Sequence, residues 1–190
     1  MKRILIAFTL ISFVMLGYSQ SNLVSLSGGW AFANVDDSEY FTEDPNIKAN
    51  GWRINGTYDF NNDGGPWAYG ISIGYISVSA SYSGTTDTAD YKVSSLPFYF
   101  APKYIFGSDK LRGFVKLAIG GQSANLERKG QRSTITGNDF GFYGGGGAGL
   151  MFFVNDMVFL NAEYEIAYMT NSFYRNGMMQ SVMLGIGLRL

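Results

Sequence analysis

The chain has 190 residues, which suits a single domain. Its formal net charge is −1 and only 15% of its residues are charged, so bulk electrostatics offer nothing to a nucleic acid. It contains no cysteine and no histidine. That excludes disulfides, thiol nucleophiles, His-containing catalytic triads and the usual Cys/His metal sites, so neither a cofactor nor a metal is expected.

Lys2 and Arg3 open the chain and are followed by the apolar run Ile4 to Leu16. Gly17 and Ser19, on either side of Tyr18, then supply the small residues before a cut between Ser19 and Gln20. This is the pattern of a helical signal peptide over residues 1–19, leaving a mature domain over 20–190. The 13-residue run is shorter than the ~20 residues that a spanning helix needs. If the mature chain enters a membrane, it does so as strands.

The rest reads as eight alternating segments, because strand side chains switch faces at every residue. The first, Leu23 to Asn34, sets Val24, Leu26, Gly28, Trp30 and Phe32 against Ser25, Ser27, Gly29 and Ala31. The second, Lys48 to Phe60, sets Trp52, Ile54, Tyr58 and Phe60 against Arg53, Asn55, Thr57 and Asp59. A tight turn follows at Asn61 to Gly65. The third, Trp67 to Val78, places Trp67, Tyr69, Ile71, Ile73 and Tyr75 on one side. The fourth, Lys92 to Phe106, alternates Leu96, Phe98, Phe100, Tyr104 and Phe106 with Ser95, Tyr99, Ala101 and Lys103. Pro97 and Pro102 predict bulges or distortion there.

The fifth, Leu111 to Ser123, sets Leu111, Val115, Leu117 and Ile119 against Arg112, Phe114, Lys116, Ala118 and Gln122. The sixth, Asn138 to Val154, surrounds a glycine-rich centre, Gly144 to Gly149. That centre formally contains GxGxxG, but no helix pattern follows, so it reads as a thin strand patch rather than a nucleotide loop. The seventh, Met157 to Tyr168, sets Val158, Leu160, Ala162, Tyr164, Ile166 and Tyr168 against Phe159, Asn161, Glu163 and Glu165. The eighth, Gln180 to Leu190, sets Val182, Leu184, Ile186, Leu188 and Leu190 against Ser181, Met183, Gly185, Gly187 and Arg189.

Long connections (36–46, 79–90, 124–137, 170–177) alternate with short ones. An even number of strands with alternating turn lengths predicts an all-β, eight-stranded antiparallel up-and-down transmembrane β-barrel, closed by pairing the last strand with the first. A soluble lipocalin-like carrier has the same alternation with the greasy face inside. Three features favour lipid outside. The opposite face is mostly Gly, Ser, Ala and Asn. Trp67, Tyr69, Tyr58, Phe60, Tyr104 and Phe106 gather near the short turns. Trp30, Trp52, Tyr75, Tyr164 and Tyr168 lie toward the long loops, giving two aromatic belts.

With its leader, eight alternating strands and greasy final strand, the chain from Leu23 to Leu190 resembles the small outer-membrane barrels of the OmpA and OmpX type. Such families end in an aromatic residue; here Leu190 stands in that place. The resemblance implies residence in the outer membrane of a Gram-negative bacterium and insertion by the barrel-assembly machinery. Lipid and lipopolysaccharide are then the immediate partners. Members serve as anchors, adhesins, surface-interaction proteins or narrow pores.

An eight-stranded barrel has room inside only for side chains. Arg53, Lys116, Glu163 and Glu165 fall at similar heights on the inward side, so they are expected to form an ion-paired plug. A gate that exchanges these partners to pass small ions is the alternative. A glycosidase-like use of Glu163 with Glu165 lacks a substrate cleft. A lipid-modifying enzyme is a third reading, against which the absence of histidine counts, and no enzyme activity is expected. The acidic segment 36–44 is a candidate cation site, and Arg128, Lys129 and Arg132 are candidate contacts to lipopolysaccharide. Tyr82, Tyr91, Phe173 and Tyr174 are expected on loops, where an unknown surface ligand would bind.

Overall fold

The computed structural model describes residues 22–35, 47–61, 65–83, 88–130, 134–170 and 173–190. The leader with Ser19 and Gln20, the acidic segment 36–44 and Arg132 lie outside the described residues. Eight strands follow in order: β1 Leu23–Val35, β2 Ile47–Phe60, β3 Trp67–Ser83, β4 Thr88–Gly107, β5 Leu111–Gly130, β6 Thr134–Phe153, β7 Val158–Met169 and β8 Tyr174–Arg189. Each pairs antiparallel with its successor, and β8 pairs with β1 to close the barrel. The seam runs from Leu23 opposite Arg189 to Ala33 opposite Met179. Its register then shifts, with Val35 opposite Tyr174. Gly177 lies in the extra stretch of β8 and has φ 65°, a conformation glycine adopts without strain.

The bulky faces point outward. Leu184 is 63% exposed, Ile71 59% and Leu26 58%, whereas Arg53 and Glu165 on the opposite face are at 0%. This is the inverse of a soluble barrel, and so large an apolar surface is stable only against hydrocarbon. The lipocalin-like alternative required these residues to be enclosed, and it is ruled out.

The strands are longer than the alternation suggested. β3 and β4 take up most of the Ser/Thr-rich segment 79–90, and β5 and β6 take up most of 124–137. β8 begins at Tyr174, not Gln180. The cause is visible on the outer face. Beyond the apolar band, outward positions become polar at Ser79, Ser81, Lys92, Asn125, Glu127 and Asn138. The greasy-outward pattern ends there while the backbone ladder continues. Tyr91 and Tyr174, expected on loops, are therefore strand residues buried in the interior. Arg128 is likewise a buried strand residue, its Nε donating to the Tyr91 hydroxyl at 3.2 Å, and is not a basic loop residue. Lys129 stays on the outside, 3.0 Å from Glu127.

The prolines produce no bulge. Register is unchanged past Pro97 and Pro102. Each only leaves a gap in one ladder: around Pro97 between β3 and β4, and around Pro102 between β4 and β5. That is the local effect of a missing N–H donor.

The interior is divided by height. The inward face is expected to be mostly Gly, Ser, Ala and Asn, including the half nearer the long connections. Instead Val35, Ile47, Ile76, Val78, Val93, Met169 and Met179 pack there with Tyr91 and Tyr174 into an apolar cap. The ionised residues lie below it.

If hydrocarbon meets the outer face, Leu117→Arg should cost about 2–4 kcal/mol in denaturant unfolding from phospholipid vesicles. Asn125→Arg, beyond the apolar band, should cost about 0–1 kcal/mol in the same assay. Equal costs at the two positions would contradict the assigned membrane boundary.

Candidate functional site

The inward residues of β2, β4, β5, β6, β7 and β8 converge on one cluster. Arg53 Nη1 lies 2.7 Å from Glu165 Oε1, both side chains fully buried. The same nitrogen donates to Ser181 Oγ at 3.1 Å, and Nη2 donates to the Tyr99 hydroxyl at 3.0 Å. Tyr99 in turn donates to Asn55 Oδ1 at 3.1 Å. Lys116 Nζ sits between two carboxylates, 2.5 Å from Glu163 Oε1 and 2.5 Å from Glu165 Oε2. The Tyr143 hydroxyl donates to Glu165 Oε1. The rings of Tyr99 and Tyr143 stack with centroids 5.0 Å apart. Lys116 Nζ lies 5.4 Å from the Tyr99 ring centroid, and Arg53 Cζ lies 5.9 Å from that of Tyr143.

All four residues singled out in the sequence thus meet, with two cations facing two anions. Alternation in the sequence put Tyr99 on the inner face but gave it no role, and it passed over Tyr143 altogether. Tyr143 shares its parity with Gly145, Gly147 and Gly149, so the same count would have turned it inward.

Register explains why the charges sort themselves. Lys103 and Lys116 are direct cross-strand neighbours, an unfavourable pairing of like charges. They diverge: Lys103 reaches Asp59 at 2.8 Å while Lys116 reaches Glu163 and Glu165. Each of these buried charges is therefore matched locally, without which its desolvation would be prohibitive.

The glycine run of β6 makes this arrangement possible. Gly147 stands opposite Lys116 on one side and Glu165 on the other. A Cβ on Gly147 would lie 3.2 Å from Lys116 Cε and 2.7 Å from the Tyr164 carbonyl oxygen. One on Gly149 would lie 2.5 Å from the Phe114 ring. These positions are empty so that the long side chains of β5 can cross in front of β6 toward β7.

On the outside, Trp30, Trp52, Trp67, Tyr69, Tyr75, Tyr104, Tyr164 and Tyr168 are exposed and Tyr58 is half-buried. Trp30 stands directly opposite Trp52, whose ring centroid lies 5.3 Å from that of Tyr75. Trp67 and Tyr104 meet edge to face at 5.1 Å. Tyr164 donates to Gln180 Oε1 at 2.9 Å. Rings with one polar end suit headgroup depth.

Glu165 makes three kinds of contact in the cluster and Glu163 only one. Glu165→Gln should therefore cost about 3–5 kcal/mol on unfolding from vesicles, because Arg53 loses its counter-ion. Glu163→Gln should cost less, about 1.5–3 kcal/mol, since Lys116 keeps Glu165. Gly147→Val should cost about 1–3 kcal/mol by overpacking. The reverse order of the two glutamates would refute this assignment of partners.

The family described as outer membrane protein beta-barrel domain matches residues 5–188. Among solved structures, the fold is similar to that of Neisserial surface protein A, at 14% identity and TM-score 0.58, over 90% of this chain and 97% of that one. It is similar to the outer membrane protein OprG of Pseudomonas aeruginosa, at 12% identity and TM-score 0.54, over 90% and 97%. It is also similar to Ail, the attachment invasion locus protein of Yersinia pestis, at 20% identity and TM-score 0.50, over 90% and 99%. At such identities the likeness is one of fold. No curated protein sequence matches the chain. The family match spans nearly all the strands, and their apolar faces point outward. The chain therefore belongs to the outer membrane protein beta-barrel family and is an outer-membrane protein.

Proposed function

We propose that this protein is a sealed barrel without enzymatic activity, acting as a structural or surface-interaction protein through its extracellular portion. One observation carries the reading. The lumen is filled by the Arg53–Lys116–Glu163–Glu165 cluster, with Arg53 and Glu165 at 0% exposure. The apolar cap of Val35, Ile47, Ile76, Val78, Met169 and Met179 lies above it. Ions cross where charges are hydrated, and these are not. Among the described residues, the outer face of the long strands β3 to β6 is available for contact with the exterior. That face carries Ser79, Lys92, Asn125, Thr136 and Asn138 in exposed positions and Glu127 half-buried. A rigid scaffold presenting a polar surface suits recognition of a ligand at the cell surface, with lipopolysaccharide as the immediate neighbour.

The same reading assigns the outward tryptophans and tyrosines to the two membrane interfaces as anchors. Residues 1–19 are assigned as a cleaved leader, and the barrel-assembly machinery as the agent of insertion. The competing role is a narrow ion channel in which Lys116 exchanges between Glu163 and Glu165.

Planar-bilayer recording of the purified full-length barrel separates the two. The expected result is an absence of steady conductance. Reproducible channels whose conductance changes in Glu163→Ala would establish the gated pore instead.

A further inference from the structure

The seam between β8 and β1 loosens near its extracellular end. Ala33 stands opposite Met179 and Val35 opposite Tyr174, so the register shift leaves Asn34 without a partner on β8. Beside this break the outer wall is indented by a cavity of about 410 Å³. Phe32 and Asn34 of β1, Lys48 and Asn50 of β2, and Met178 and Gln180 of β8 line it. Small-ligand sites have volumes of about 300–1,000 Å³, and this one falls among them.

Its height on the barrel follows from the register. Trp30 stands opposite Trp52 in the belt that marks the interface. Two residues further out Phe32 stands opposite Asn50, and two more bring Asn34 opposite Lys48. With a strand rise of ~3.3 Å and a tilt near 40°, Lys48 is about 10 Å beyond the tryptophans. That is the level of lipid phosphates, not of acyl chains.

Its charge is uncompensated. Lys129 on the outer face lies 3.0 Å from Glu127, and Lys92 stands directly across from the same carboxylate. Lys48 is exposed, forms no ion pair among the described residues and faces the neutral Asn34. Asn50 and Gln180 add neutral amides around it. The Tyr164 hydroxyl donates to Gln180 Oε1 at 2.9 Å, which occupies the acceptor end of that amide and leaves its NH2 end for another partner. An ammonium beside carboxamide N–H donors suits an oxyanion. The cavity also has an apolar side, because Phe32 and Met178 are each 48% exposed at the upper edge of the lipid-facing band. A ligand that matches both halves carries an anionic head and a hydrocarbon tail.

We infer that this cavity binds the phosphorylated headgroup of an outer-leaflet lipid. Lys48 is its counter-ion, Asn50 and Gln180 donate to its oxygens, and Phe32 and Met178 hold the start of an acyl chain. The site lies on β8, β1 and β2, and it stands whether or not the face of β3 to β6 recognises a ligand.

The test uses the full-length barrel in phosphatidylcholine nanodiscs, one barrel per disc, with the side-chain amide signals of Asn50 and Gln180 followed by NMR. Bis-phosphorylated lipid A is added in one arm and the same lipid without its phosphates in the other. Saturable shifts of both signals are expected in the first arm only. Lys48→Gln, an exposed substitution that the fold tolerates, should weaken binding about fivefold, the loss of one lysine near an anionic surface. Lys92→Gln should leave it unchanged. Equal shifts with the dephosphorylated lipid, no saturable shift in either arm, or equal weakening by Lys48→Gln and Lys92→Gln would overturn the site. The same shifts in discs loaded with two barrels and no lipid A would assign the face to a second copy of the chain and overturn it as well.

Discussion

A polypeptide in hydrocarbon has no water to satisfy its peptide groups, so every N–H and C=O must find a partner within the protein. Closure of β8 on β1 meets that demand and sets the remaining constraints. Once the sheet closes, one side of each strand faces lipid and the other faces seven other strands across a narrow lumen. Bulk can go outward without limit. Inward it must be rationed, because eight strands leave little more than a column of side chains.

That rationing links two features that look unrelated in the sequence. Glu163 and Glu165 on β7 and Lys116 on β5 are separated by an entire strand, yet Lys116 touches both carboxylates. It does so because β6 contributes almost no inward volume there, with Gly145, Gly147 and Gly149 in succession. The stacked pair Tyr99 and Tyr143 occupies the remaining width and turns a hydroxyl to the same cluster. Charge and emptiness are thus complementary parts of one packing solution. Burial of four ionised groups is tolerable only because each is matched at short range.

Much of this was legible from residue order because alternation of greasy and small residues is a direct imprint of a two-faced environment. The facing of Arg53, Lys116, Glu163 and Glu165 follows from parity alone. Strand ends did not follow. The alternation reports contact with lipid, and it stops at the headgroups while the hydrogen-bond ladder of β4, β5 and β6 continues into water. For the same reason Arg128 read as a loop residue although it is held inside a strand. The apolar cap was hidden for a different reason. Above the lipid band the contrast reverses, with Ser79, Ser81 and Lys92 outward and Ile76, Val78 and Val93 inward, so a reading that took apolar for outward and small or polar for inward missed them. Pro97 and Pro102 were over-read: a missing donor opens one rung of a ladder, and neighbouring rungs on both sides keep the register.

The run of β6 glycines also thins the wall of the molecule. Outward positions Gly144, Gly146 and Ala148 alternate with the inward Gly145, Gly147 and Gly149, so neither side of this strand carries padding. Behind it lies the stem of Lys116, whose Cε would sit 3.2 Å from a Cβ on Gly147. On this flank the insulation between an ammonium group and the acyl chains is thin: a layer of backbone, with the Phe142 ring beside Gly144 and a Leu117 methyl beside Gly146. Peptide dipoles therefore carry much of the screening of the cluster from the oil there.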